Sequence, residues 1–162
     1  MTMKRIILTI ALLVAGAVCA GAQDLSVLSK AARMAYDYLS AEGYKPTIDE
    51  EDDVVFKAEG YTFFVDNDKS DDTYLQIVLP YIMALEEDDL LSSVAGMAAC
   101  NKITQDKKLV QAYITDDGDV MLCTDTYIGS AGNMDEFIGS SITFMIRAVS
   151  AFRDEYSELL KD

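Results

Sequence analysis

The sequence predicts an α+β domain: a single antiparallel sheet of about five strands with helices on one face, in the order α-β-β-β-α-β-β-α. Three observations lead there. Two tight-turn signatures, Glu59-Gly60 and Asp116-Asp117-Gly118, each separate two strand-like runs. Three longer stretches carry apolar residues at three- and four-residue spacing, as helices with one buried side do. The strands come as hairpins rather than as βαβ units, and hairpins build antiparallel sheets that need helices on only one face.

Leu25 to Glu42 reads as the first helix. Leu25, Leu28, Ala31, Ala32, Ala35 and Leu39 recur at helical spacing, and Gly43 and Pro46 then stop it. Val54 to Ala58 is a short strand that turns at Glu59-Gly60 into Tyr61 to Val65, an aromatic and β-branched run. Asp66 to Asp72 is a polar, acidic loop. Tyr74 to Leu79 then alternates, with Leu75, Ile77 and Leu79 on one side.

The second helix spans Glu86 to Ile103. Glu86, Glu87, Asp88 and Asp89 crowd its first turn, where the macrodipole favours negative charge. Leu90, Leu91, Val94, Met97, Ala98 and Asn101 follow at helical spacing, while Ala95, Gly96, Ala98 and Ala99 allow close approach to another layer. Val110 to Thr115 and Val120 to Thr124 form the second hairpin. Asn133 with Glu136 three residues on reads as a capping box, and an apolar stripe carries the last helix to about Leu160.

Residues 1–22 stand apart from this domain. Lys4 and Arg5 make a basic start, Ile6 to Val18 is apolar, and Ala20-Gly21-Ala22 supplies the small residues a signal peptidase reads. The apolar run is shorter than the roughly 20 residues a spanning helix needs. The expectation is a signal peptide cleaved near Ala22 and a periplasmic or secreted bacterial protein whose single domain covers residues 23–162. Two alternatives stay open. One is an uncleaved anchor. The other is acylation at Cys19, although Val18 stands where such signals usually carry Gly, Ala or Ser.

Without Lys4 and Arg5, 11 basic residues face 28 acidic ones, a formal charge of −17 on 140 residues. Such a field repels phosphate backbones and anionic headgroups. It argues against nucleic acid and, unless Cys19 is lipidated, against a membrane. With 51% hydrophobic residues the chain is no disordered acidic tail. It has no His, and so lacks the usual general base and the commonest metal ligand. Ser-His-Asp and Cys-His constellations are impossible, and no phosphate-binding glycine loop follows a strand. Asp66-Asn67-Asp68-Lys69-Ser70 begins like a calcium loop, but position six is Asp71 rather than Gly and position twelve is Ile77 rather than Glu. Gly129-Ser130-Ala131-Gly132 reads as a connector. No catalytic residue, metal ligand or cofactor is assigned. Cys100 and Cys123 either pair in an oxidising compartment or stay as two buried thiols.

One aromatic pair points to a surface. Phe63 and Phe64 are consecutive on a strand, so they face opposite sides of the sheet. Unless both faces are covered, one of them looks away from the helices, which hints at a sticky sheet face.

The stretches Tyr38 to Asp49, Val54 to Asp66 and Thr73 to Pro80, followed by the Ala99-Cys100-Asn101 step, a Lys-rich turn and a strand, resemble the YbjN-like family. That family shares the type III secretion chaperone-like fold, and the resemblance covers about Leu25 to Leu160. It implies an α+β domain in the order above and a role among sensory transduction regulators. Chaperones of this fold are often dimers that bind extended segments of partner proteins. The resemblance therefore implies a protein or peptide partner and allows a homodimer, but carries over no catalytic or binding residue. The export signal departs from those chaperones, which act in the cytoplasm. The expected function is an exported, non-enzymatic binding or interaction protein, chaperone-like or regulatory. The alternatives are a small-molecule or carbohydrate binder, or a hydrolase working with carboxylates alone.

Overall fold

The structure, a computed structural model, describes residues 23–86, 89–129 and 133–161. The expected signal peptide, Cys19, the Glu87-Asp88 pair and positions 130–132 of the connector lie outside the described residues.

Where one helix is expected from Leu25, the chain makes two pieces. Asp24 accepts from Ser26 N and closes a 3-10 turn over Leu25–Val27, and Ser29 then caps α1, Lys30–Ala41, by accepting from Ala32 N. A cap residue inside an apolar run offers the backbone a second start. Asn67 holds the break in place. Its Oδ1 accepts from Ser29 N at 2.7 Å and its Nδ2 donates to Val27 O at 3.1 Å.

The strands are β1 (Thr47–Ile48), β2 (Val54–Ala58), β3 (Tyr61–Asp66), β4 (Tyr74–Ala84), β5 (Gln111–Ile114) and β6 (Asp119–Tyr127). They form one antiparallel sheet in the order β1-β2-β3-β4-β6-β5. The strand beyond the expected five is β1, a two-residue edge too short for alternation to reveal. The β2–β3 turn forms as expected: Glu59 and Gly60 both take positive φ, 50° and 83°, as a type I′ turn requires.

The expected end of the third strand at Leu79 is overturned. Pro80 lacks an N–H, yet β4 runs on to Ala84 through a bulge. Leu79 pairs with Leu122 and Met83 with Val120, so Pro80, Tyr81 and Ile82 oppose Met121 alone. A bulge is where a sheet tolerates proline, because no ladder donor is needed there.

Helix α2 spans Leu90–Asp106, later at both ends than expected. Asp89 caps it by accepting from Leu91 N, so Glu86 and Asp89 precede the helix rather than fill its first turn. The Lys102–Asp106 pair, 2.9 Å apart, spans the last turn and carries the helix past Ile103. The helix buries its small side, Ala95, Gly96 and Ala99, together with Ser92, Cys100 and Ile103. The larger stripe of Leu90, Leu91, Val94 and Met97 faces solvent, each at least half exposed. Contact distance agrees with this: a Cβ on Gly96 would stand 2.5 Å from Leu85 Cδ1, so any larger residue there requires the Leu85 side chain to shift.

Helix α3 spans Met134–Leu159. The expected capping box does not form, since Asn133 makes no side-chain cap bond and Glu136 N donates instead to Asp135 Oδ1 at 2.7 Å. Asp135 and Glu136 still place negative charge in the first turn.

Among the described residues, all three helices pack on one side of the sheet: α1 over β2–β4, α3 over β4 and β6, and α2 against β5 and α3. The core between them includes Phe56 and Phe63, stacked at 5.3 Å, with Ile77, Leu122, Met145 and Phe152. Burying each such side chain stabilises the fold by roughly 1.5–3 kcal/mol. Polar groups inside are paired: Thr124 Oγ1 donates to Ser141 Oγ at 2.9 Å, and Ser92 Oγ and Tyr156 Oη share a hydrogen bond of 2.8 Å.

Cys100 and Cys123 are both free. They also lie on opposite sides of the sheet. Cys100 belongs to the helix-covered core, whereas the neighbours of Cys123, Leu122 and Thr124, point into that core and so turn Cys123 to the other face. Burial pushes both thiols up to about 11, so little thiolate exists at neutral pH.

Two outcomes follow. Gly96→Ala is expected to cost about 1–2 kcal/mol in urea unfolding although Ala is the better helix former. A stabilised variant would mean that Leu85 moves aside freely. Cys100 and Cys123 are expected to resist a thiol reagent in the native chain and to react promptly in denaturant. Fast native labelling of either would overturn their inert placement.

Candidate functional site

The second face of the sheet carries the side chains that alternation turns away from the helices. Register lines them up in rows. Val55 pairs with Phe64, Phe64 with Val78, Val78 with Cys123 and Cys123 with Gln111, so one row crosses five strands and its first four members are apolar. Phe63 is fully buried against the helices while Phe64 stays partly exposed on this face, as consecutive strand positions require.

One end of the face is acidic. Asp66 pairs with Gln76 and Gln76 with Asp125. Gln111 Nε2 donates to Asp125 Oδ1 at 2.7 Å, and Gln76 Nε2 donates to Tyr74 Oη at 3.0 Å. Asp53, just before β2, accepts from Asn67 N at 2.9 Å. The other end is aromatic, where Tyr113 pairs with Met121 beside the bulge that holds Pro80 and Tyr81.

Between these ends lies a depression of about 340 Å³. Phe64, Val78, Pro80, Tyr81, Tyr113 and Met121 form its apolar and aromatic lining, and Glu51, Asp53, Asp66 and Gln76 its polar lining. Tyr81 adopts φ 54° and is 68% exposed. A bulky residue in the left-handed region costs about 1–2 kcal/mol, and such outliers gather at functional sites.

Two carboxylates here, Asp53 and Asp66, are perturbed. Burial raises the Asp53 carboxyl above its ordinary range; the Asn67 N–H opposes this, while the charges of Asp66, Asp49 and Glu51 add to it. Burial, with Asp68 nearby, raises Asp66 in the same direction. Among the described residues no Lys or Arg pairs with Glu51, Asp53, Asp66 or Asp125; Lys69 bonds Asp52 instead, at 2.7 Å.

The calcium-like run is spent on its own turn. Asp68 Oδ1 accepts from Ser70 N and Oγ, Asp71 Oδ1 accepts from Thr73 N and Oγ1, and Ile77 is buried in the core. The edge strand β5 is blunted too, because Ala112 N donates to Thr104 Oγ1 at 3.1 Å rather than to an incoming strand. A second depression, about 380 Å³, lies between α3 and the β2–β3 turn and sets Glu59 and Arg147 on its rim. That one of Phe63 and Phe64 turns away from the helices was legible in the sequence; that it is Phe64 was not. Asp53, Tyr81, Tyr113 and Met121 were not legible as face residues, since no local motif joins them.

Acidification should show the strain among these acids. A carboxyl raised in the folded chain binds its proton first as pH falls, so its charge destabilises the fold at neutral pH and that cost vanishes through the folded-state pKa. Asp66→Asn is expected to raise Tm at pH 7 by about 1–3 °C. The gain should shrink as pH approaches the ordinary aspartate value of about 3.9. A lower Tm at pH 7 would mean that the Asp66 charge is compensated.

No curated protein matches the chain. Among the described residues, no helix is long and apolar enough to cross a membrane. A family model described as "Putative bacterial sensory transduction regulator" matches residues 34–158, which include every strand and most of the three helices just described. The chain belongs to the YbjN family.

Proposed function

We propose that the chain is an exported, non-enzymatic binding protein, chaperone-like or regulatory in role, that takes a protein or peptide partner on the open face of its sheet. The observation that carries this reading is the row of Val55, Phe64 and Val78, apolar side chains left partly exposed on a face where, among the described residues, no helix packs. Contiguous apolar surface of this kind marks interaction sites. The regulator description of the family supports an interaction role. The basic start, apolar run and Ala20-Gly21-Ala22 site support export. Tyr36 Oη donates to Gln23 Oε1 at 3.1 Å, so the residue that cleavage would expose is tied to α1.

The carboxylate-only hydrolase finds some support in Asp53 and Asp66. These two rise from the same face of neighbouring chain segments, however, and so flank one side of any bound group. A glycosidase needs its pair on either side of the scissile bond, about 5–10 Å apart. Binding is the better fit. The exposed α2 stripe of Leu90, Leu91, Val94 and Met97 supports a homodimer as a separate association.

A photo-crosslinking residue at Phe64 or Tyr81 is expected to trap a discrete protein adduct in the periplasm, while the same residue at Phe144 on α3 traps none. Absence of adducts from both sheet positions would defeat the reading. The recovered chain is expected to begin at Gln23 by intact mass; a lipid-modified species beginning at Cys19 would replace cleavage near Ala22 with anchoring.

A further inference from the structure

The open face is uneven, and its unevenness defines what fits it. At one end stand Asp53, Asp66 and Asp125, at the other Tyr81 and Tyr113, and between them the apolar Phe64 and Val78. A wholly apolar occupant would strip water from carboxylates without replacing it, which is costly. A small inorganic cation would leave the apolar floor unused. An occupant with an apolar stem and a positive head satisfies both ends, and among protein side chains only Lys and Arg combine them.

We infer that this depression seats a Lys or Arg side chain of an extended partner segment, its stem running from the tyrosines over Phe64 and Val78 and its charged head against the carboxylates of Asp53 and Asp66. The inference rests on the open face being the docking surface proposed above, and it names the partner's chemistry. Three observations converge on it. First, the carboxylates on the face lack a cation among the described ion pairs, so the charge is available to a visitor. Second, Tyr81 and Tyr113 line the same depression as Asp53 and Asp66 and offer aromatic surface for the stem, Tyr81 being held there by a left-handed backbone. Third, the whole chain is acidic, with 28 acidic and 13 basic residues, so long-range attraction brings a basic segment toward it. The raised Asp53 and Asp66 carboxyls agree with this geometry, since a bound cation would relieve both their crowding and their partial burial.

The test is selection of a displayed random dodecapeptide library on the chain lacking residues 1–22, followed by affinity measurement with synthetic copies of the winners. Face binders are recognised by their loss on Val78→Asp, and independently on Tyr81→Ser, an exposed position whose change spares the core. The inference expects these binders to share a Lys or Arg at one fixed position. Replacing that residue by norleucine should weaken binding at least tenfold. Asp53→Asn with Asp66→Asn should weaken it about as much. Asp116→Asn with Asp117→Asn removes the same charge from an exposed turn and should change the affinity less than twofold. Face binders without a fixed basic residue would overturn the seat and leave the docking face standing. So would equal weakening by the two double variants, because attraction would then be diffuse. Binders indifferent to both Val78→Asp and Tyr81→Ser would overturn the docking face as well.

Discussion

Phe63 and Phe64 sit side by side on one strand, and a single layer of helices can cover only one of them. The rest of the molecule follows from that constraint. Phe63 joins Phe56, Ile77 and Phe152 in the core, and α1 and α3 close over it. Phe64 is turned to the other side, where Val55, Val78 and Cys123 align with it across the strands. The strand period is two, so a sheet that carries apolar residues on both faces must find a second cover or keep one face partly wet.

The bulge in β4 shapes that second face. A regular strand would end at Pro80 or carry a flat run beyond it. Instead the extra residues swing Tyr81 outward beside Tyr113, and Arg153 Nη2 on α3 donates to Ile82 O at 3.3 Å from the covered side. Proline, bulge and arginine together let one strand serve the core with Leu79 and Ile82 and the open face with Pro80 and Tyr81. Local irregularity thus links the packing of α3 to the shape of the depression on the opposite side.

Charge is distributed with similar economy. Most acids are solvated in turns, where Asp24, Asp68 and Asp71 accept bonds from their own loops and are lowered by them. Asp53 and Asp66 are the contrast, half-buried, near one another and raised by burial. A protein that merely needed solubility would keep every carboxylate of the first kind. Holding two of the second kind beside aromatic rings trades some stability for a surface with a chemical preference.

Much of the fold was legible without coordinates. Strand alternation, the Glu59-Gly60 and Asp116-Asp117-Gly118 turns and the apolar stripe of α3 are local signals, and local sterics and periodicity determine such elements. The opposition of Phe63 and Phe64 was equally legible, because it follows from the pleat alone. What the tertiary structure decided depends on distances between residues remote in sequence. The small side of α2 turns inward, with Gly96 against Leu85, and the larger Leu91 and Val94 stripe turns outward, against what hydrophobicity alone suggests. Ser29 and Asn67, 38 residues apart, break the first helix. Asp53, Asp66, Tyr81 and Tyr113 become one depression only when β2, β3, β4 and β5 take their places in the sheet. By itself the sequence determined most of the elements and the opposition of Phe63 and Phe64 across the sheet. Only the packed sheet decided what the open face presents, because cross-strand register, not spacing along the chain, sets which side chains meet.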